Sequence, residues 1–163
     1  TEQFGAARGN ASGDIRFSEA AGNGKVDFRY RLETADRRRN FTIYQTLGGG
    51  VAIVDYDLDG MADLYFPQAD ADGPAFLAVS SDRLYRNSPS AAQRLTFVDV
   101  SRDALAADHD YSIGITAGDW NQDGFPDLLV SNIGPERLLT NQGDGTFVTT
   151  LLDFNDSTTC VSA

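Results

Sequence analysis

Short runs of apolar residues recur along the chain and are separated by clusters of glycine, aspartate, asparagine and proline. Runs that are rich in Val, Ile, Leu, Phe and Tyr and that have such boundaries are typical of β-strands. Apolar residues at helical spacing do not continue over a useful length. The pattern therefore predicts an all-β fold.

Two segments of the sequence, residues 49–66 and residues 113–130, align without gaps. In each segment an apolar run leads into the pattern D-x-[DN]-x-D-G-x-x-D, and a second apolar run follows it. The similarity continues in residues 82–87 and 95–100 of the first unit and in residues 136–141 and 145–150 of the second. Each unit thus reads as four short strands with an acidic loop between the first two. Four short antiparallel strands form one blade of a β-propeller, so we predict two blades and only part of a complete propeller.

The repeat divides the chain into segments. We expect a poorly ordered N-terminal segment at residues 1–24 and a repeat region at residues 25–163, with units at about residues 47–100 and 111–150 and the start of a further unit at residues 158–163. Residues 24–32 alternate between apolar and polar side chains and predict one more strand. The two acidic loops are farther apart than the roughly 40–45 residues of a compact blade. Residues 67–81, which are rich in Asp, Ala and Ser, are therefore expected to be an insertion loop.

Composition and charge limit the classes of partner. The chain has 24 acidic and 13 basic side chains and a formal net charge of -11, which disfavours nucleic acid and anionic membrane surfaces. A run of about 18 apolar residues does not occur, so we expect no membrane insertion. The single cysteine, Cys160, excludes an internal disulfide, and the single histidine, His109, excludes a site with several histidine ligands.

The two acidic loops have the composition of calcium sites. Calcium binds about 6–8 oxygen ligands, and a D-x-D-x-D-G loop supplies carboxylates from alternate residues that a tight turn can point to one centre. In the first loop the predicted ligands are the side chains of Asp55, Asp57, Asp59 and Asp63 and the carbonyl oxygen of Met61. In the second loop they are the side chains of Asp119, Asn121, Asp123 and Asp127 and the carbonyl oxygen of Phe125.

Glycine and charge support this prediction. Gly60 and Gly124 follow the third ligand of each loop, where the chain must reverse and a positive φ is least costly for glycine. Several carboxylates in one loop repel each other unless a cation binds between them. Asn121 is neutral, so the second loop carries one negative charge less, and we expect it to bind calcium more weakly than the first.

Three alternatives compete with two calcium sites. An EF-hand loop also begins D-x-D-x-D-G, but it needs a glutamate at position 12 and flanking helices. Position 12 is Phe66 in the first loop and Val130 in the second, and both flanks are strand-like, so we reject the EF-hand. Magnesium is disfavoured because it keeps several waters rather than a protein cage with many ligands. Acidic β-turns without any metal remain as the third alternative.

The repeated units resemble the FG-GAP or VCBS repeat family. Residues 118–128 are similar to the calcium loops in the blades of integrin α-subunits. Residues 47–57, together with residues 83–87, are similar to bacterial secreted proteins related to cartilage acidic protein, which often carry an ASPIC/UnbV module. The resemblance implies a β-propeller with calcium loops between the first two strands of a blade, a secreted, periplasmic or cell-surface location, and a role in cell adhesion or ligand binding. The remaining blades would come from the rest of a longer chain or from another chain.

Residues with the arrangement of a catalytic centre are not evident in the sequence. His109 lies between Asp108 and Asp110, but no serine stands in a recognisable nucleophile elbow. The first functional hypothesis is therefore a non-catalytic, calcium-binding extracellular module that binds a protein or carbohydrate ligand. The alternative is a scaffold or accessory part of a secreted carbohydrate-active enzyme, and carboxylates in a cleft outside the calcium loops would favour it.

Overall fold

The structure is a computed structural model that describes residues 26–31, 48–70, 79–91 and 95–152. These residues contain eight β-strands and no helix, which confirms the all-β prediction, and none of them could cross a membrane as a long apolar helix. The strands are β1 (Ala52–Val54), β2 (Asp63–Phe66), β3 (Arg83–Asn87), β4 (Phe97–Asp99), β5 (Ser112–Gly118), β6 (Asp127–Asn132), β7 (Glu136–Asn141) and β8 (Phe147–Leu152).

The strands form two antiparallel sheets of four strands each, in the order β1-β2-β3-β4 and β5-β6-β7-β8. Within each sheet, strands that are consecutive in sequence pair with each other, as in a blade of a β-propeller. Val54 pairs with Asp63 at the end of β1, and Gly118 pairs with Asp127 at the end of β5. Each acidic loop therefore connects the first two strands of its sheet, as the repeat predicts.

The last strands of the two sheets, β4 and β8, differ in the extent of their pairing. β4 pairs with β3 through three residues, whereas β8 pairs with β7 through six. Arg86 lies opposite Val98 in the first sheet, and Thr140 lies opposite Val148 in the second. Arg86 and Thr140 therefore hold equivalent positions in the two sheets.

One hydrophobic core joins the two sheets. Its buried residues are Ala52, Val54, Tyr56, Tyr65, Leu84, Ala104, Ala106, Leu128, Val130, Leu139 and Phe147. Tyr56 of the first acidic loop stacks on Phe147 of β8, with 5.9 Å between the ring centroids. Gly50 approaches the second sheet so closely that a Cβ atom there would lie 3.2 Å from the side chain of Ile115. Burial of apolar surface, worth about 25 cal/mol per Å2, therefore stabilises the contact between the sheets as well as each sheet by itself.

Residues 26–31, the described part of the predicted N-terminal strand, belong to neither sheet. The side-chain amide of Gln68 donates to the carbonyl oxygen of Arg29 at 3.0 Å. The side-chain oxygen of Gln68 accepts from the N–H of Arg31 at 2.9 Å. The strand prediction is therefore wrong for these residues, because a side chain, rather than a neighbouring strand, satisfies their backbone groups.

Several predicted segments lie outside the described residues. They are the N-terminal segment 1–24, the further unit at residues 158–163, Cys160, and residues 71–78 of the predicted insertion. Residues 67–70, where that insertion was expected to begin, are buried. The N–H of Gln68 donates to Asp82 at 2.7 Å, and its carbonyl oxygen accepts from the N–H of Ser112 at 2.9 Å. This segment therefore links the two sheets instead of extending into solvent.

Candidate metal centre

The two acidic loops share one framework of hydrogen bonds. In the first loop, the carboxylate of Asp55 accepts from the backbone N–H groups of Asp59 at 3.0 Å and Gly60 at 2.9 Å. In the second loop, Asp119 makes the same two bonds, to the N–H groups four and five residues later, at 3.1 and 3.0 Å. The first aspartate of each motif therefore closes its own turn.

The last aspartate of each motif is buried and joins the loop to the third strand. Asp63 accepts from the N–H of Tyr56 at 3.2 Å and from the N–H of Asn87 at 2.7 Å. Asp127 repeats this arrangement in the second loop, with the corresponding N–H groups at 2.9 and 2.8 Å. Burial raises the pKa of Asp63 to about 6, although its two backbone hydrogen bonds act to lower it. Both carboxylates are therefore part of the fold as well as predicted ligands.

The turn in each loop needs a left-handed backbone at two positions. Gly60 has a φ of 84° and Gly124 a φ of 91°, which confirms the positive φ predicted at both glycines. Leu58 and Gln122 also have positive φ, 56° and 62°, which the sequence did not indicate. Because equivalent residues are left-handed in both loops, the two turns follow the same course.

Three carboxylates converge in the first loop. One oxygen from each of Asp55, Asp57 and Asp63 lies within 4.8 Å of the other two, a grouping that could hold a metal ion. The Oδ1 atom of Asp57 is buried and has no hydrogen-bond partner in the described part of the chain. A buried carboxylate oxygen without a partner costs free energy, and a cation would offset that cost. The structure thus brings together three of the ligands predicted for the first loop.

The other predicted ligands of the first loop have different surroundings. Asp59 accepts from the N–H of Met61 at 2.9 Å through Oδ1 and from Nη2 of Arg86 at 2.7 Å through Oδ2. Arg86 also donates through Nε to Asp57 at 2.5 Å. Asp59 and the carbonyl oxygen of Met61 therefore stay predicted ligands, and the guanidinium of Arg86 lies beside Asp59.

The second loop has the same backbone framework but a different arrangement of side chains. The amide of Asn121 donates to Oδ2 of Asp123 at 2.7 Å, and its oxygen accepts from the N–H of Asp123 at 3.0 Å. Asp119, Asn121 and Asp123 are exposed. Among the described residues, the first loop holds the one group of three acidic side chains close enough to share a metal ion. The ligand roles of these three residues, of Asp127 and of the Phe125 carbonyl stay predictions.

Asn141, the last residue of β7, connects the two loops. Asn141 donates through its amide to the carbonyl oxygen of Tyr56 in the first loop at 2.7 Å. The same amide donates to the carbonyl oxygen of Pro126 in the second loop at 3.1 Å. Asn87 is the equivalent residue of the first sheet. The ligand prediction did not include these asparagines, although their recurrence at the same place in both units is a sequence signal for a shared role.

A second polar cluster lies at the junction of the sheets, outside the acidic loops. The fully buried carboxylate of Asp82 accepts from the hydroxyl groups of Tyr65 at 2.9 Å and Ser112 at 3.1 Å. Burial raises the pKa of Asp82 to about 8, and the charge of Asp108 adds to this effect. Asp108 in turn forms an ion pair with Arg137 at 2.8 Å. These carboxylates therefore have partners inside the protein and connect the first sheet to the second.

Comparisons with known proteins do not assign the chain to a family. No protein-family model matches it, and no curated protein matches its sequence significantly. Fold and site together define an all-β protein of two four-stranded antiparallel sheets, with an acidic loop in the first sheet that could hold a metal ion.

Proposed function

We propose that this protein is a non-catalytic, calcium-binding module of an extracellular β-propeller of the FG-GAP or VCBS type. The observation that carries the proposal is the convergence of oxygens from Asp55, Asp57 and Asp63 in a loop between the first two strands of a sheet. The second loop, which has the same backbone framework, is the second proposed calcium site. The module would serve cell adhesion or the binding of a protein or carbohydrate ligand in a secreted, periplasmic or cell-surface protein.

The number of oxygen ligands in the loop supports calcium as the ion, and the spacing of the carboxylate oxygens allows them to share one cation. Two oxygens on opposite sides of a calcium ion are about 4.6–5.2 Å apart, because each Ca–O distance is about 2.3–2.6 Å. Oxygens that lie within 4.8 Å of one another can therefore share one ion. Magnesium would keep several of its waters and would make less use of a loop with so many oxygen ligands.

The blade-like sheets support a propeller as the setting of the loops. Two sheets are fewer than the roughly four blades of the smallest propellers, so the remaining blades would come from the rest of a longer chain or from another chain. The carboxylates outside the loops that would favour a carbohydrate-active enzyme, Asp82 and Asp108, have partners inside the protein. We therefore prefer the binding module to the enzyme scaffold.

Calorimetric titration with calcium tests the proposal on Asp57→Ala and Asp123→Ala. Asp57 makes no hydrogen bond to the loop backbone among the described contacts, so Asp57→Ala removes a ligand and leaves the framework of the first loop in place. We expect the unmodified protein to bind two calcium ions and each variant to bind one. Calcium should also raise the melting temperature, because an ion that binds only the folded state stabilises it.

Asp103→Ala is the matched control, since it removes an exposed carboxylate outside both loops. It should bind two calcium ions like the unmodified protein. A protein that gives no calcium heat, and whose melting temperature does not change when a chelator is added, would overturn the proposal.

A further inference from the structure

Among the described residues, a positively charged side chain contacts the first loop but not the second. Arg86 extends from β3 and donates to Asp57 at 2.5 Å and to Asp59 at 2.7 Å. Thr140 holds the equivalent position on β7, so no arginine reaches the second loop from that place. Arg86 and Thr140 are at equivalent positions in the two sheets. The guanidinium from this position therefore lies beside the first loop, and the second loop has a threonine there instead.

Arg86 changes the charge balance between the loops. The first motif has four aspartates, and the second has three aspartates and Asn121. Counted on the motifs alone, the first loop is the more negative and should attract a cation more strongly. Once Arg86 is included, the two loops have the same net charge, and two of the first loop's carboxylates already have a positively charged partner. Charge-assisted hydrogen bonds of this kind are stronger than neutral ones.

We infer that Arg86 competes with calcium for Asp57 and Asp59, so that the second loop binds calcium more tightly than the first. The inference rests on the proposed function of the two loops. Arg86 holds Oδ2 of Asp57 and Oδ2 of Asp59 and offsets part of their negative charge, so calcium in the first loop gains less from these two carboxylates, and it can use both oxygens of either one only if that ion pair rearranges. The partial exposure of Arg86, whose side chain is 37% accessible, leaves room for it to move toward solvent. Full coordination of calcium by Asp57 and Asp59 would therefore move Arg86 away from the first loop.

The test compares Arg86→Thr with Arg83→Thr, each combined with Asp123→Ala so that only the first loop can bind calcium. Both substitutions remove one positive charge from β3, but the ion pair of Arg83 is with Asp99 of β4, at 2.7 Å, and not with a carboxylate of the loop. We expect Arg86→Thr to raise the calcium affinity of the first loop at least about fivefold, as direct release of the carboxylates predicts. Arg83→Thr should change the affinity by less than about twofold, because an exposed charge at a distance is screened by salt.

A reciprocal variant tests the same idea in the second loop. Thr140→Arg, combined with Asp57→Ala, should lower the calcium affinity of the second loop. Terbium can replace calcium as a probe, because Trp120, the single tryptophan, lies within the second loop and can sensitise terbium bound there. In Thr140→Arg with Asp57→Ala, the tryptophan-sensitised terbium signal should appear only at higher terbium concentration than in Asp57→Ala alone. An unchanged titration curve would contradict the inference.

The outcomes separate this inference from the proposed function. Absence of calcium binding to the unmodified protein would overturn the function itself. If the first loop has the same calcium affinity in Arg86→Thr as in Arg83→Thr, or a lower affinity in Arg86→Thr, the proposed function would still hold but the inferred competition between Arg86 and calcium would be wrong. Tighter calcium binding by the first loop than by the second in the unmodified protein would also contradict the inferred competition.

Discussion

Asp63 and Asp127 have a structural role, and their proposed role as metal ligands would use the same oxygen atoms. Each is almost completely buried, and both oxygens of each accept hydrogen bonds from backbone N–H groups. A carboxylate oxygen has two lone pairs, so it can accept an N–H and still bind a metal ion. These residues therefore fix the shape of the loop first, and the shape in turn decides where the other carboxylates lie.

Asp127→Ala should destabilise the protein even without calcium. The substitution leaves the N–H groups of Trp120 and Asn141 without their acceptor, at a cost of about 2–4 kcal/mol in the free energy of unfolding. Urea denaturation in the presence of a chelator measures this cost without a contribution from metal. Asp123→Ala is the control, because Asp123 is exposed and should cost less than about 1 kcal/mol. Equal and small losses for both variants would contradict a structural role for Asp127.

At the scale of single elements, the connection between β2 and β3 carries a carboxyl group that favours the protonated form. Tyr65 has one hydroxyl hydrogen, yet its oxygen lies 2.9 Å from Asp82 and 3.1 Å from the carbonyl oxygen of Ala106. When Asp82 is charged, the hydroxyl of Tyr65 donates to it; when Asp82 is protonated, its O–H can donate to Tyr65, and the hydroxyl of Tyr65 then donates to Ala106. The geometry and the raised pKa of Asp82, about 8, thus agree.

The stability of the protein should therefore fall as the pH rises from about 4 to about 8. In the unfolded chain Asp82 loses its proton near its ordinary pKa of 3.8, whereas in the folded protein it keeps the proton up to about pH 8. Between these values folding takes up a proton, so each unit of pH lowers the free energy of unfolding by up to about 1.4 kcal/mol.

Urea denaturation at several pH values, on the unmodified protein and on Asp82→Asn, measures this dependence. The neutral amide should remove the part of the slope that belongs to Asp82, and Asp103→Asn should retain it because Asp103 is exposed. Identical slopes in the protein and in Asp82→Asn would show that Asp82 is charged in the folded state.

The strands and loops could be predicted from sequence because their signals are local. Apolar alternation and flanking glycines are sufficient for the two hairpins that hold the acidic loops. Residues 26–31 have the same alternation but no strand partner in the described part of the chain, where the side chain of Gln68 bonds to the backbone of Arg29 and Arg31 instead. The left-handed conformation of Leu58 has no such local signal in a leucine, since it follows from closure of the loop by Asp55.

The relation between Arg86 and the first loop also depends on tertiary structure. Arg86 is 29 residues from Asp57 in sequence, and only the pairing of β2 with β3 brings them together. The sequence therefore predicts the candidate ligands of the first loop, whereas the internal cation beside them follows from the fold.

At the scale of the whole molecule, the contact between the sheets holds the two loops in one body. Phe147 of the second sheet is 1% exposed and stacks on Tyr56 of the first loop. Asn141 adds a hydrogen bond to the carbonyl oxygen of the same tyrosine. The first loop is thus fixed by its own sheet and by the neighbouring one.

Phe147→Ala should weaken the whole protein rather than one sheet. Truncation of a buried phenylalanine costs about 3–5 kcal/mol, and here the cavity would open between the sheets. Thermal unfolding followed by circular dichroism should show a lower melting temperature with one transition. Val148→Ala is the control, because Val148 is the next residue of β8 and is 53% exposed. A melting temperature that is lowered as little by Phe147→Ala as by Val148→Ala would contradict a shared core.

The unequal pairing of β4 and β8 decides which of these two strands opens more readily. β4 is held to β3 through three residues, and β8 is held to β7 through six. Opening of a strand that is held by fewer paired residues takes less free energy, so β4 opens more readily than β8. Each such event exposes the edge of β3, and an unpaired strand edge readily accepts a strand from another chain. Of the edges of β3 and β7, the edge of β3, the strand that carries Arg86, should therefore be the more ready to accept a strand of another chain.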